Sequence, residues 1–107
     1  MIALMIPNII PFPYADFEVV YNDWMLNKLD VAAHVSSVDE KIYLPSNRSD
    51  RQKFALLMHE IVHCANHETG EEMTESQVLG VATLVTHVLT GMGIKPDFSL
   101  IKNDSRA

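Results

Sequence analysis

Two stretches of this 107-residue chain carry their own start and stop signals, and together they dictate a pair of helices joined by a short turn. Ser49 is followed three residues on by Gln52, and Thr74 by Gln77. In each pair the hydroxyl can accept from a free N–H of the first helical turn while the carboxamide reaches back to the cap, a reciprocal arrangement that opens a helix. After Ser49, Phe54, Leu57, Met58, Ile61, Val62 and Ala65 recur at helical spacing up to Gly70, a C-terminal stop. After Thr74 the pattern runs to Gly91 or Gly93. The second helix is uncharged from Ser76 to Ile94, nearly the length of a membrane span, but its periodicity is amphipathic. Val78, Val81, Ala82, Val85, Val88 and Leu89 share one face, which predicts the core side, and Gly80, Thr83, Thr86, His87 and Thr90 lie on another.

The N-terminal half reads as strands. Phe17 to Tyr21 favours β structure, and Val31 to Val38 followed by Lys41 to Leu44 reads as a hairpin turning near Asp39. Trp24 to Leu29 forms a helical turn or a loop between them. Met1 to Ala15 is apolar, but Pro7, Pro11 and Pro13 prevent the helix of a signal peptide, and no Lys or Arg precedes it. It is expected to be an extended arm or edge strand. From Pro96 the chain reads as a short tail, ordered only if Phe98, Leu100 and Ile101 find a groove. The expectation is a single α+β domain over 1–107, with the arm at 1–15 and the tail at 96–107.

Charge narrows the partners. Eight Lys and Arg stand against 14 Asp and Glu, a formal net charge of −6, and no basic run tracks a phosphate backbone. Direct binding to nucleic acid or an anionic membrane is disfavoured. The single Cys64 excludes an internal disulfide and reads as a small buried hydrophobe, and the chain is expected to be cytoplasmic. The face with Gly80, Thr83, Thr86 and Thr90 carries no charge; either the arm or tail covers it, or a second copy does. A monomer or a weak homodimer is therefore expected.

The first helix carries His59-Glu60-Ile61-Val62-His63, an HExxH pattern. Two histidines four residues apart project from one face about 6 Å apart along the axis, so both imidazoles can reach one zinc ion at roughly 2.1 Å. Glu60 stands one residue round, beside the metal, where it can take a proton from water as a general base. The alternative is a pair of core histidines. A hydrolytic zinc site needs a third protein ligand. His67 extends the series, but it lies about 12 Å along the axis from His59 and would ligate only if the helix broke. Glu75 is preferred, because it opens the second helix on the face of Val78, Leu79 and Ala82; Glu71 and Glu72 precede the cap and read as loop charges. His34 and Tyr43 on the hairpin are candidates to donate to an oxyanion or contact substrate. His87, about 18 Å beyond Glu75, cannot share its ion.

The order strand, hairpin, Leu56 to Ala65 with HExxH, acidic loop, and a helix opening Thr74-Glu75-Ser76-Gln77-Val78 resembles the small HExxH metallopeptidase-like proteins of phages and prophages. These are related to the ImmA/IrrE-type and SprT-type zinc peptidases, and the resemblance spans roughly Phe17 to Leu89. It implies a minimal zincin fold, with a small antiparallel sheet over the active-site helix and a second helix that gives an acidic third ligand. It implies one Zn²⁺ per chain held by His59, His63 and Glu75, Glu60 as the base, a protein or peptide substrate, and the cytoplasm of a bacterial host. The rival expectation is a zinc-stabilised, catalytically weak or inactive binding module that occupies a host protein.

Overall fold

The computed structural model describes residues 2–70 and 72–104, apart from the side chains of His67 and Glu68. The elements run β1 (Ile2–Met5), β2 (Ile9–Pro11), β3 (Asp16–Tyr21), α1 (Asp23–Leu29), β4 (His34–Ser36), β5 (Lys41–Leu44), α2 (Asp50–Thr69), α3 (Glu75–Gly91), β6 (Ile94–Asp97) and β7 (Lys102–Asn103). The fold is α+β, with three helices and a small open sheet among the described residues.

The sheet is mixed, which corrects the expected antiparallel one. Its order is β2-β3-β5-β4, with β7 beside the second half of β3. β2 and β4 pair antiparallel with their neighbours, whereas β3 runs parallel to both β5 and β7. The physical reason is the crossover: α1 and β4 lie between β3 and β5 in sequence, long enough to return the chain for parallel pairing. β1 and β6 form a separate parallel pair.

Alternation along the strands puts an apolar face on each side of the sheet. Val19, Ile42 and Leu44 pack with Phe54 and Leu57 of α2, and Ile42 and Leu44 are wholly buried. Val20 and Tyr43 pack with Leu26 of α1 on the other side. Each fully buried Leu or Phe stabilises the fold by about 1.5–3 kcal/mol, so Phe54 and Leu57 fasten α2 to the sheet.

Residues from Pro96 meet the condition set for their order at two of three positions: Phe98 and Ile101 enter the main core, although Leu100 stays exposed. The carboxylate of buried Asp104 accepts from Lys41 Nζ at 2.9 Å and from Asn22 Nδ2 at 3.2 Å, and its N–H donates to the Tyr21 carbonyl at 2.9 Å. The core face of α3 is as expected at Val78, Ala82 and Leu89 but differs in its other members. Its buried residues are Val78, Ala82 and Thr86, one turn apart, while Val81, Val85 and Val88 face solvent. Small side chains on this stripe allow close packing of α3, and the Thr86 hydroxyl donates to the Ala82 carbonyl at 2.7 Å, so its burial leaves no polar group unmet. Of the threonine face, Thr86 is buried and Thr90 partly so, while Gly80 and Thr83 are exposed. Among the described residues no helix is long and apolar enough to cross a membrane.

Candidate metal centre

Both helices begin where the caps require. Ser49 Oγ accepts from Gln52 N at 3.2 Å and Gln52 Oε1 from Ser49 N at 3.1 Å; Thr74 and Gln77 make the same exchange at 3.1 and 2.8 Å. α2 ends at Gly70 with φ 73°, a left-handed conformation that glycine adopts without steric cost. Asn66 Oδ1 accepts from Met73 N at 3.1 Å across the turn. The second cap is thereby fixed beside α2, and Glu75, the first residue of α3, is aimed back at His59 and His63.

The three side chains converge. His59 Nε2 lies 2.7 Å from Glu75 Oε1, His63 Nε2 lies 3.1 Å from Glu75 Oε2, and the two Nε2 atoms are 3.1 Å apart. Which of the two ring nitrogens donates and which accepts at this distance depends on the tautomer of each ring. A tetrahedral zinc with ligand distances near 2.0–2.1 Å separates its donor atoms by about 3.3 Å. One ligand atom from each residue lies within 4.8 Å of the other two, a spread that brackets this separation. Two imidazole nitrogens and a carboxylate oxygen are also the donor set that suits zinc. This is the one group of its kind among the described residues, and it can hold a divalent metal ion.

The environment separates the two glutamates. Glu60 is 6% exposed, and burial pushes its carboxyl up, opposed by the charge on His63 and assisted by that on Glu75. Glu75 projects into solvent at the rim. Desolvation beside the helices, which would raise its carboxyl, is outweighed by the hydrogen bond with His59 and by the charges of His63 and His59, and the group is held below the ordinary carboxylate range.

A cleft of about 870 Å³ opens beside the cluster, bordered by α2, α3 and the segment leading into β4. Glu60 lines it together with all three cluster residues. His34, on the edge strand β4, borders it too, although its ring is turned to stack on Tyr43, with centroids 6.3 Å apart. Tyr43 is not brought to the cluster: it is wholly buried on the α1 side of the sheet, and its hydroxyl donates to Asp39 Oδ2 at 2.9 Å. Glu72 is exposed and stands outside the cluster, while Glu71 and the side chain of His67 lie outside the described residues. Cys64 is buried in α2.

Arg51 and His87 also line the cleft. Spacing could have found them: Arg51, Ala55, His59 and His63 repeat every four residues on α2, and Glu75, Leu79, Thr83 and His87 do so on α3. Distance from the ion had set His87 aside, but a cleft is longer than a coordination sphere.

Comparison with protein-family models, with curated proteins and with solved structures finds no match for this chain.

Proposed function

We propose that the protein is a zinc-binding domain of minimal zincin type, with His59, His63 and Glu75 as the ligands, and that Glu60 is placed for hydrolysis of a peptide bond. The convergence of the three ligand atoms from two helices carries the zinc reading. A divalent zinc ion in such a site supplies Lewis-acid polarisation of a carbonyl and acidifies water. Glu60 adjoins His59 in sequence, borders the cleft, and is held in a buried environment that favours its protonated form. In its ionised form, which burial makes a stronger base than an ordinary carboxylate, Glu60 can accept a proton from water and then pass it to a leaving amine. The free edge of β4 beside the cleft offers main-chain hydrogen bonds to an extended peptide.

The second reading is a zinc-stabilised module, catalytically weak or inactive, that occupies a host protein. It asks for nothing beyond the three ligands, and the exposed position of Glu75 at the rim favours it, since a ligand so open to solvent serves a static site as well as a reacting one. Glu60→Gln separates the two. The variant keeps the volume and lies outside the ligand set, so zinc content is retained on either reading. If the protein is a peptidase, digestion of an unfolded protein mixture, read by mass spectrometry of new termini, falls by about 10²–10⁴. A zinc-loaded wild-type chain that generates no new termini supports the binding module.

A further inference from the structure

We infer that the end of the cleft remote from the metal centre is an anion subsite that holds a carboxylate of a bound peptide, about four residues from the position at the metal. The inference rests on the peptide-binding reading above and specifies which peptides fit.

Arg51, His87 and Thr90 border both the main cleft and an adjoining hollow of about 340 Å³, so the two form one trough. Lys95, on β6, lines the hollow. The trough is electrically polarised: Glu60 and Glu75 stand at the metal end, and Arg51, Lys95 and the titratable His87 at the other. In a chain with eight Lys and Arg against 14 acids, this gathering runs against the overall charge. Neither Arg51 nor Lys95 takes part in an ion pair among the described residues. The acid at this mouth, Asp50, is engaged elsewhere: Oδ1 lies 3.9 Å from Lys53 Nζ, and Oδ2 accepts from Phe98 N at 3.4 Å. The wall between the two ends includes the small residues Ala55 and Thr83, which leave room for a main chain.

Spacing fixes the register. Arg51 precedes His59 by about 12 Å along α2, and His87 follows Glu75 by about 18 Å along α3. An extended peptide advances about 3.3 Å per residue, so a chain anchored at the metal centre reaches Arg51 after roughly four residues and His87 after roughly five or six. Arginine presents a planar fork to a carboxylate, and His87 and Lys95 add donors around it. A free C-terminal carboxylate and an Asp or Glu side chain offer the same chemistry.

The test uses the zinc-loaded full-length chain and a peptide series with a metal-chelating hydroxamate at one end, two to six alanines, and a terminal Glu, Gln or Lys. Glu probes carry a C-terminal amide; a parallel set carries Gln with a free C-terminal carboxylate, which separates the two sources of the anion. Acetohydroxamate alone reports the metal site. Affinity is expected to peak at about four alanines, with Glu or the free carboxylate favoured at least tenfold over uncharged Gln, and Lys weakest. Arg51→Gln should abolish the preference and Arg51→Glu should shift it to Lys; both replacements are exposed, and circular dichroism checks their folding. Hydroxamates that bind with zinc but ignore terminal charge would overturn the subsite and leave the metal site standing. A preference that survives in Arg51→Gln, His87→Gln and Lys95→Gln would place the anion elsewhere. Failure of acetohydroxamate and every peptide to bind the zinc-loaded chain would show that the zinc has no coordination position open to the cleft, and would overturn the peptide-binding reading and the subsite with it.

Discussion

The two helix caps are nearly identical in geometry but differ in their distance from the metal centre, which makes them a matched pair for testing how the fold positions the site. Thr74→Ala removes the hydroxyl that accepts from Gln77 N at 3.1 Å, and Ser49→Ala removes the one that accepts from Gln52 N at 3.2 Å. Each should cost about 1 kcal/mol of stability in the metal-free chain, the usual worth of such a cap. Their effects on the metal should diverge. Thr74 caps the turn that begins with Glu75, whereas Ser49 precedes His59 by about 15 Å along the axis. If the Thr74 loss falls on fraying of that first turn, the ligand-competent fraction falls, and zinc affinity falls with it by up to about fivefold, the equivalent of 1 kcal/mol. Ser49→Ala should leave affinity unchanged. Urea unfolding in the presence of a chelator gives the first quantity, and zinc competition against a chromophoric chelator gives the second. Equal affinity losses in the two variants, or none in Thr74→Ala despite the loss in stability, would refute the reasoning that this turn holds the third ligand in place.

Other expectations are as direct. Burial favours protonated Glu60, so its contribution to folding is fully present below the unfolded carboxylate range and is lost as pH rises through its raised folded value; Glu75, held low, contributes above that range and loses its contribution as pH falls. Metal-free Glu60→Gln should therefore gain on wild type in urea unfolding as pH rises from 4 to 7, and a constant difference would contradict the burial effect. Asp104→Ala removes the nearer carboxylate from Lys41, whose side chain is 17% exposed and keeps only Glu18 at 3.9 Å, and strips Asn22 of the same acceptor; it should cost about 3 kcal/mol, or roughly 12–24 °C in Tm by calorimetry. A loss below 1 kcal/mol would show that the C-terminal segment is not anchored there. Leu57→Ala, at the α2 face packed on the sheet, should cost about 2–5 kcal/mol in urea unfolding; a cost within 0.5 kcal/mol would deny its place in the core.

What the sequence makes legible is local. The caps at Ser49 and Thr74, the stop at Gly70 and the turn after Ser36 are written in adjacent residues, and the structure places each where the side-chain chemistry requires. The fold class follows from them. The pairing of β3 with β5 does not, because parallel register depends on a crossover whose length the strand residues do not encode. β7 is Lys102-Asn103, two polar residues with no β signature, and it joins the sheet because Phe98, Ile101 and Asp104 are drawn in around it. The face of α3 is partly legible. Val78 and Ala82 take the core positions that hydrophobicity assigned them and Leu89 packs against the core, but Thr86, its hydroxyl met within the helix, is buried in place of Val81, Val85 and Val88. At the site, HExxH by itself gives two members of the His59, His63 and Glu75 cluster, whereas Glu75 is reached only by adding the turn and the second cap. Arg51 and His87 stayed separate in sequence because their meeting place is a trough between helices that run in opposite directions.

The central claim is that His59, His63 and Glu75 hold one zinc ion. Metal analysis of the purified chain, loaded with excess zinc and freed of unbound metal by gel filtration, tests it most directly when wild type is set beside Glu75→Ala and His59→Ala. The account predicts one zinc per chain in wild type, none retained by His59→Ala, and a clear loss in Glu75→Ala. Wild-type protein that retains no zinc, or three proteins that retain it equally, would contradict it.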